Sequence, residues 1–265
     1  MGILLLKLTL SGLSFTAAAM TFTAWIGRRL GNYGVVDAVW ALGFLPLVWL
    51  LVGLAPGRGG DWRQWSLPIM LSLWSLRLGV HLSRRIAAHH PREDVRYAEL
   101  RREWGARAHG RMFWFFQLQG LFQVLLLLPL LLTLSSPAHA HGGWVVLGWG
   151  LFGVGFIGET IADLQLSRFR SCRPGAVCNV GLWRYSRHPN YFCEWLMWLA
   201  FACTGAAVPW GWVGLLAPAL MYHLLRNVTG VPMTEELSIK SKGDDYREYQ
   251  STTNAFWPGL PRRTP

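Results

Sequence analysis

The stretch VVDAVWALGFLPLVWLLVGL, residues 35–54, decides the fold. Twenty residues of α-helix rise about 30 Å, the thickness of a bilayer's hydrocarbon core. Asp37 is the one ionisable side chain in the run. No polar stripe recurs along it at helical spacing, so neither face suits water. A helix of this kind is solvated by lipid.

Working outward, further apolar runs occupy roughly 3–25, 64–82, 113–134, 143–162, 191–208 and 210–226. Pro209 alone separates the last two, so the expectation is about seven transmembrane helices, or six if those two form one broken unit. The run 3–25 contains Lys7 but no small-residue cleavage site followed by polar sequence, and it reads as a first membrane helix, not a signal peptide. Composition agrees with a single integral membrane domain over 1–265, all-α. Hydrophobic residues make up 52%, mean hydropathy is +0.27, and charged residues are 15%, against about 25% in soluble domains. The 16 Trp suit the two water–lipid interfaces.

Charge sets the expected orientation. Of the 25 Lys and Arg, 21 fall after runs one, three, five and seven, and only Arg58 and Arg63 lie in the alternate loops. Basic loops stay on the cytosolic side. The reading is an N-terminus outside, a cytosolic C-terminus, cytosolic loops 83–112 and 163–190, and a cytosolic tail 227–265 that includes Arg262 and Arg263. The net charge of +11 then reflects membrane lipid and an anionic ligand, not nucleic acid. Segment 83–112 reads as an amphipathic helix or two short turns. The aromatics Tyr246, Tyr249, Phe256 and Trp257 indicate a docked tail. Cys172, Cys178, Cys193 and Cys203 form no CxxC pair, so no metal site is expected.

Ionisable groups inside spans are costly and are paired or functional. Asp37, Arg77, Glu159, Asp163 and Glu194 all fall in the expected cytosolic half, with Gln117, Gln119 and His223 at similar depth. Two readings stand: a polar cavity open to the cytosol, or ion pairs that hold the bundle, such as Asp37 with Arg77. Glu159 and Asp163 share a helix face, with Arg170 two turns beyond Asp163 as the candidate cation or as a snorkelling helix end.

The densest chemistry is Gly181-Leu182-Trp183-Arg184-Tyr185-Ser186-Arg187-His188-Pro189-Asn190-Tyr191, followed by Glu194. Pro189 suits the first turn of a helix, and a helix N-terminus favours anions. Arg184 and Arg187 can fork onto phosphate oxygens, Asn190 can bond an amide or ribose, and Tyr185 and Tyr191 offer flat faces to a heteroaromatic ring. The bland alternative is a basic interfacial anchor.

This run, with Glu194 and Trp195, resembles the signature of the DUF1295 membrane proteins, bacterial relatives of steroid 5α-reductases. Asn32-Tyr33-Gly34 with Val36-Asp37 and Trp40 resembles the start of that family's second span. Trp74-Ser75-Leu76-Arg77-Leu78 resembles its third span, and Asp94-Val95-Arg96-Tyr97 the loop after it. Gly230-Val231-Pro232, Glu235-Glu236, Asp245-Tyr246, Tyr249, Thr253 and Phe256-Trp257-Pro258 resemble its C-terminal block, so the likeness covers most of 32–258. It implies an NADPH-dependent reductase in a bacterial inner membrane, its active site facing the cytosol. The substrate would be a 3-oxo-Δ4-steroid or a similar isoprenoid enone, taking hydride at the β-carbon. No obligate protein partner is implied. Asp37, Trp74 and Arg77 then stand at the carbonyl; Asp37 and Trp74 occupy the regions where the reductases carry Glu and Tyr, and a raised pKa would make Asp37 the donor. The cofactor would meet Arg96, Tyr97, Asp163, Arg168, Arg170, Trp183, Arg184, Tyr185, Ser186, Arg187, His188, Asn190, Tyr191 and Glu194. Glu235, Glu236, Tyr246 and Tyr249 would close over it. Isoprenylcysteine carboxyl methyltransferases and phospholipid N-methyltransferases share the Arg-His-Pro-x-Tyr core, so a methyltransferase using S-adenosylmethionine is the alternative. Arginines near the pocket favour the phosphorylated cofactor.

Overall fold

The computed structural model describes residues 1–55, 62–89, 91–136 and 141–262; Arg58 and Arg263 lie outside them. Every regular element among the described residues is helical. The chain forms two compact units, Met1–Val145 with Gly205–Gly214, and Val146–Thr204 with Leu215–Pro265.

The first unit holds α1 (Gly2–Leu30), α2 (Val35–Leu54), α3 (Arg63–His89), α4 (Val95–Trp104), α5 (Ala108–Leu126) and α6 (Leu128–Ser135). Helix α1 stops at Gly31, whose φ of 64° a side chain would resist. Helix α2 packs on α3, and α1 on α2 and α5. Trp74 is fully buried there, edge-on to Trp40 and Phe44 at 6.3 and 5.0 Å. Polar ties cross the apolar packing: Ser75 Oγ donates to the Ala41 carbonyl (2.7 Å) and Gln123 Nε2 to the Trp40 carbonyl (2.8 Å). Helices α5 and α6 break by 47° before Pro129, which has no N–H to continue the ladder. Gly205 and Gly214 make room for the Pro129 ring: a Cβ on either would come within 2.9 or 3.2 Å of it.

The second unit holds most of α7 (Gly142–Cys172) and α8 (Pro189–Gly205), then α9 (Leu216–His223), a π-helical turn Leu224–Val228, α10 (Val231–Lys242) and α11 (Asp244–Thr252). Small residues let α7 approach α8 closely. A Cβ on Gly155 would lie 2.9 Å from the Cys193 carbonyl, one on Gly158 2.8 Å from Cys193 Sγ, and one on Gly148 3.0 Å from the Ala200 carbonyl.

Helices α1, α2 and α7 are each long and apolar enough to cross a membrane, and the bent run from α4 through α6 makes a fourth if it is one span. The expected span 35–54 coincides with α2. The expected span 113–134 is broken rather than continuous, because Pro129 falls within it. Helix α7 runs ten residues past the expected 162, so Asp163, Arg168 and Arg170 sit on a helix and not in a loop. Helix α3 likewise runs on to His89, and the rest of the expected 83–112 loop is mostly α4 and the start of α5. The stretch 210–226 is a 3-10 turn, a short α9 and a π turn, not one regular span.

Candidate functional site

In the first unit, Asp37 opens α2 one turn after the Asn32–Gly34 turn, which is tied down by the Tyr33 N–H donating to Glu93 Oε1 (2.7 Å). Asp94 caps α4 by accepting from the Arg96 N–H (3.0 Å). Arg96 then reaches Asp37 Oδ2 at 2.5 Å, Tyr97 Oη donates to Asp37 Oδ1 at 2.6 Å, and Arg85 stands 3.6 Å from the same carboxylate. Asp37 is therefore an ion-paired acceptor. Its partners come from α4 and the end of α3, where the sequence reading offered Arg77. The neutral O–H in this network belongs to Tyr97, which is buried. In this network Asp37 accepts from Arg96 and Tyr97, where the sequence reading made it a donor. Trp74 is core packing and Arg77 is half-buried on α3.

In the second unit the 181–191 motif is a loop clamped on two sides. Toward α7, Gln165 Oε1 accepts from the Leu182 N–H (2.9 Å), and Trp183 Nε1 donates to the Ala162 carbonyl (2.9 Å). Gly181, at φ 58°, lies so close to Gln165 that a Cβ would overlap it. Toward the tail, the Arg187 N–H donates to the Asn254 carbonyl (2.9 Å), the Gly259 N–H to the Tyr185 carbonyl (2.9 Å), and Ser186 Oγ to the Phe256 carbonyl (2.9 Å). Tyr249 Oη donates to the Trp183 carbonyl. The Arg187 guanidinium is buried, held 2.6 Å from Glu235 Oε1, and it donates to the carbonyls of Gln250 and Thr253. Glu235 also meets His188 Nε2 at 3.4 Å and Gln250 Nε2 at 3.0 Å.

Electrostatics follow from that geometry. Burial would raise the Glu235 carboxyl, but hydrogen bonds from His188 and Arg187 and the Arg187 charge outweigh it and hold it at about 2. Burial pushes the His188 imidazole below its ordinary value despite Glu235. Burial, then Glu235, raises the Tyr246 phenol to about 12. Trp183, Ser186, Arg187, His188, Glu235 and Tyr249 thus frame the loop and have their polar groups engaged within the protein. Glu236 pairs with Lys240 at the surface.

The remaining motif residues make contacts outside the loop's clamp or reach solvent. Helix α8 begins at Pro189, as expected. Asn190 Nδ2 stands 3.5 Å from Asp163 Oδ1, while Asn190 Oδ1 is buried and receives no hydrogen bond among the described residues. Tyr191 stacks on His188 (5.2 Å, 4°) and shares a hydrogen bond with Thr234 (3.0 Å). Trp198 Nε1 donates to buried Glu194 (2.9 Å). Arg168, Arg170, Arg184 and Tyr185 are exposed.

A cleft of about 440 Å³ opens in the same unit. Arg170, Pro174, Gly175 and Ala176 form one wall, and Thr234, Leu237, Ser238, Ser241 and Lys242 of α10 the other.

A family model described as "Protein of unknown function (DUF1295)" matches residues 24–253. The chain belongs to the DUF1295 family. The likeness reaches eukaryotes: an uncharacterized protein of Schizosaccharomyces pombe is 28% identical over 265 residues, covering 86% of this chain and 73% of the yeast one. No solved structure matches. Of the residues expected at the site of this DUF1295 protein, Asp37, Arg96 and Tyr97 come together in the first unit, and Asp163, Asn190 and the clamped loop in the second. Arg85 and Asp94 were not singled out for the site, nor were Lys242 and the hydroxyls of α10. Asp94 carried a capping signal, three residues ahead of Tyr97. Ser238, Ser241 and Lys242 carried no signal beyond their spacing on one helix face.

Proposed function

We propose that this DUF1295 protein is a membrane-bound, NADPH-dependent reductase of an enone lipid, with the clamped loop and the end of α7 on the cytosolic side. The observation that carries the reading is Asn190. Its buried Oδ1 lacks a donor while its Nδ2 faces Asp163. A buried acceptor without a partner costs about 1–3 kcal/mol. A ligand amide or amino group would relieve that cost, and Asp163 beside it accepts from the same kind of group. Exposed Arg168, Arg170 and Arg184 supply forked donors for phosphate oxygens. These residues fit the cofactor; Arg187 and Glu235, engaged elsewhere, frame its loop and do not contact it.

When bound, NADPH supplies a hydride for the β-carbon of the enone. The chain's own contribution is to hold the cofactor. Asn190 and Asp163 orient the amide. Within the first unit, Tyr97 Oη donates to Asp37 and helps Arg96 hold that carboxylate in place.

The test uses purified full-length protein in mild detergent, with NADPH binding followed by nicotinamide fluorescence and turnover followed on an enone lipid. Asn190→Ala weakens NADPH binding roughly tenfold. Uptake of S-adenosylmethionine with none of NADPH would replace this reading by the methyltransferase one.

A further inference from the structure

Cations on α10 and α11 meet acids close by. Lys240 lies 2.7 Å from Glu236, and Arg247 3.9 Å from Asp244. The two cations that line the cleft differ. No carboxylate lines it, and neither Arg170 nor Lys242 forms an ion pair among the described residues. Lys242 is half-buried, its ammonium 5.9 Å from the Tyr246 ring. Burial and the neighbouring Arg170 charge hold that ammonium below its ordinary value. Two like charges lining one cleft repel unless an anion lies between them. The remaining polar lining is hydroxyl: Ser238, Ser241, whose Oγ donates to the Ser238 carbonyl (3.2 Å), and Thr234, which shares a hydrogen bond with Tyr191 (3.0 Å). Hydroxyls and cations without acids are the donor set of a phosphate site. The charge count narrows the ligand further. A phosphate monoester carries about −1.5 to −2 near neutral pH and balances two cations. A phosphodiester with a single phosphorus, as in most lipid headgroups, carries one charge and leaves an excess.

We infer that the cleft formed by Arg170, Lys242, Ser238 and Ser241 seats a phosphate monoester, and that its bearer is the ribose 2′-phosphate that distinguishes NADPH from NADH. The bearer rests on the reductase reading; the monoester does not. The cleft volume, about 440 Å³, is within the range of small-molecule sites and leaves room for an attached sugar.

Calorimetry on full-length protein compares NADPH with NADH in wild type, Lys242→Gln and Lys242→Arg. Lys242→Gln weakens NADPH by about tenfold or more, leaves NADH unchanged, and Lys242→Arg recovers most of the loss. The unchanged NADH affinity also reports an intact fold. Equal loss for both dinucleotides, or loss for neither, overturns the assignment. If wild type binds neither dinucleotide, the reductase reading fails, and the cleft is read separately by phosphorus NMR with inorganic phosphate. Broadening in wild type that vanishes in Lys242→Gln upholds the monoester site; no broadening in wild type overturns it. Displacement of that signal by nanodiscs containing phosphatidic acid, but not by NADPH, transfers the site to a lipid headgroup and overturns the 2′-phosphate assignment.

Discussion

Glu235 concentrates the polar order of the second unit, because Arg187, His188 and Gln250 all converge on its carboxylate. Glu235→Gln leaves the buried Arg187 guanidinium short of its counter-charge, a change that costs about 3 kcal/mol. Reversible unfolding in mixed micelles measures it. The pH dependence has a definite sign. His188 and Glu235 both have folded values below their ordinary 6.5 and 4.5, so the unfolded chain binds more protons in the acid range. Their contribution is whole above 6.5. It declines first as His188 resists charging, then again as pH falls from 4.5 toward about 2 for Glu235. Glu235→Gln removes the lower portion of that slope; a variant with an unchanged acid profile would refute the pairing. Residue chemistry was only half legible in sequence. Arg187 has the composition of a phosphate fork, yet its donors go to the carbonyls of Gln250 and Thr253, more than sixty residues on. Backbone acceptors carry no residue-type signal, so nothing in the motif could reveal them. Asp37 was recognisable as functional or paired, but its partners Arg96 and Arg85 come from other helices and were open to guesswork.

At the scale of elements, the glycine seam on α7 sets how near that helix lies to α8, and so how Asp163 meets Asn190. Gly155→Leu would drive a side chain into the Met197 side chain and the Cys193 carbonyl, at 2.7 and 2.9 Å already from a single Cβ. Overpacking of this kind costs about 1–3 kcal/mol. Its expected signature is weakened NADPH binding alongside lowered stability, whereas Gly153→Ala, with open space around its Cβ, changes neither. Melting temperature and affinity measured on the same samples separate the two. Hydropathy located α2 to the residue because water, turn and helix end coincide there. It ended α7 too early because an apolar run reports hydrocarbon, while Asp163, Gln165 and Arg168 continue a helix without difficulty beyond it. It joined α5 to α6 because Pro129 is itself apolar to a hydropathy count, although its missing N–H breaks the ladder.

For the whole molecule, the orientation drawn from the basic loops can be checked with the protein's own thiols. Cys172 is exposed at the end of α7, while Cys178, Cys193 and Cys203 are buried. A membrane-impermeant maleimide therefore labels one cysteine per chain, and does so from the cytosolic side; labelling from the other side would invert the topology. The tail's position has a consequence for biosynthesis. Trp183 waits 66 residues for Tyr249, and Ser186 waits 70 for Phe256. A ribosome delivers the spans first, so the growing chain resides in the bilayer with this loop still open and Arg187 unneutralised. A premature stop ahead of Tyr249 would leave a fully threaded polypeptide whose 181–191 loop has lost its tail clamp, a target for proteolytic surveillance and not a partly working product.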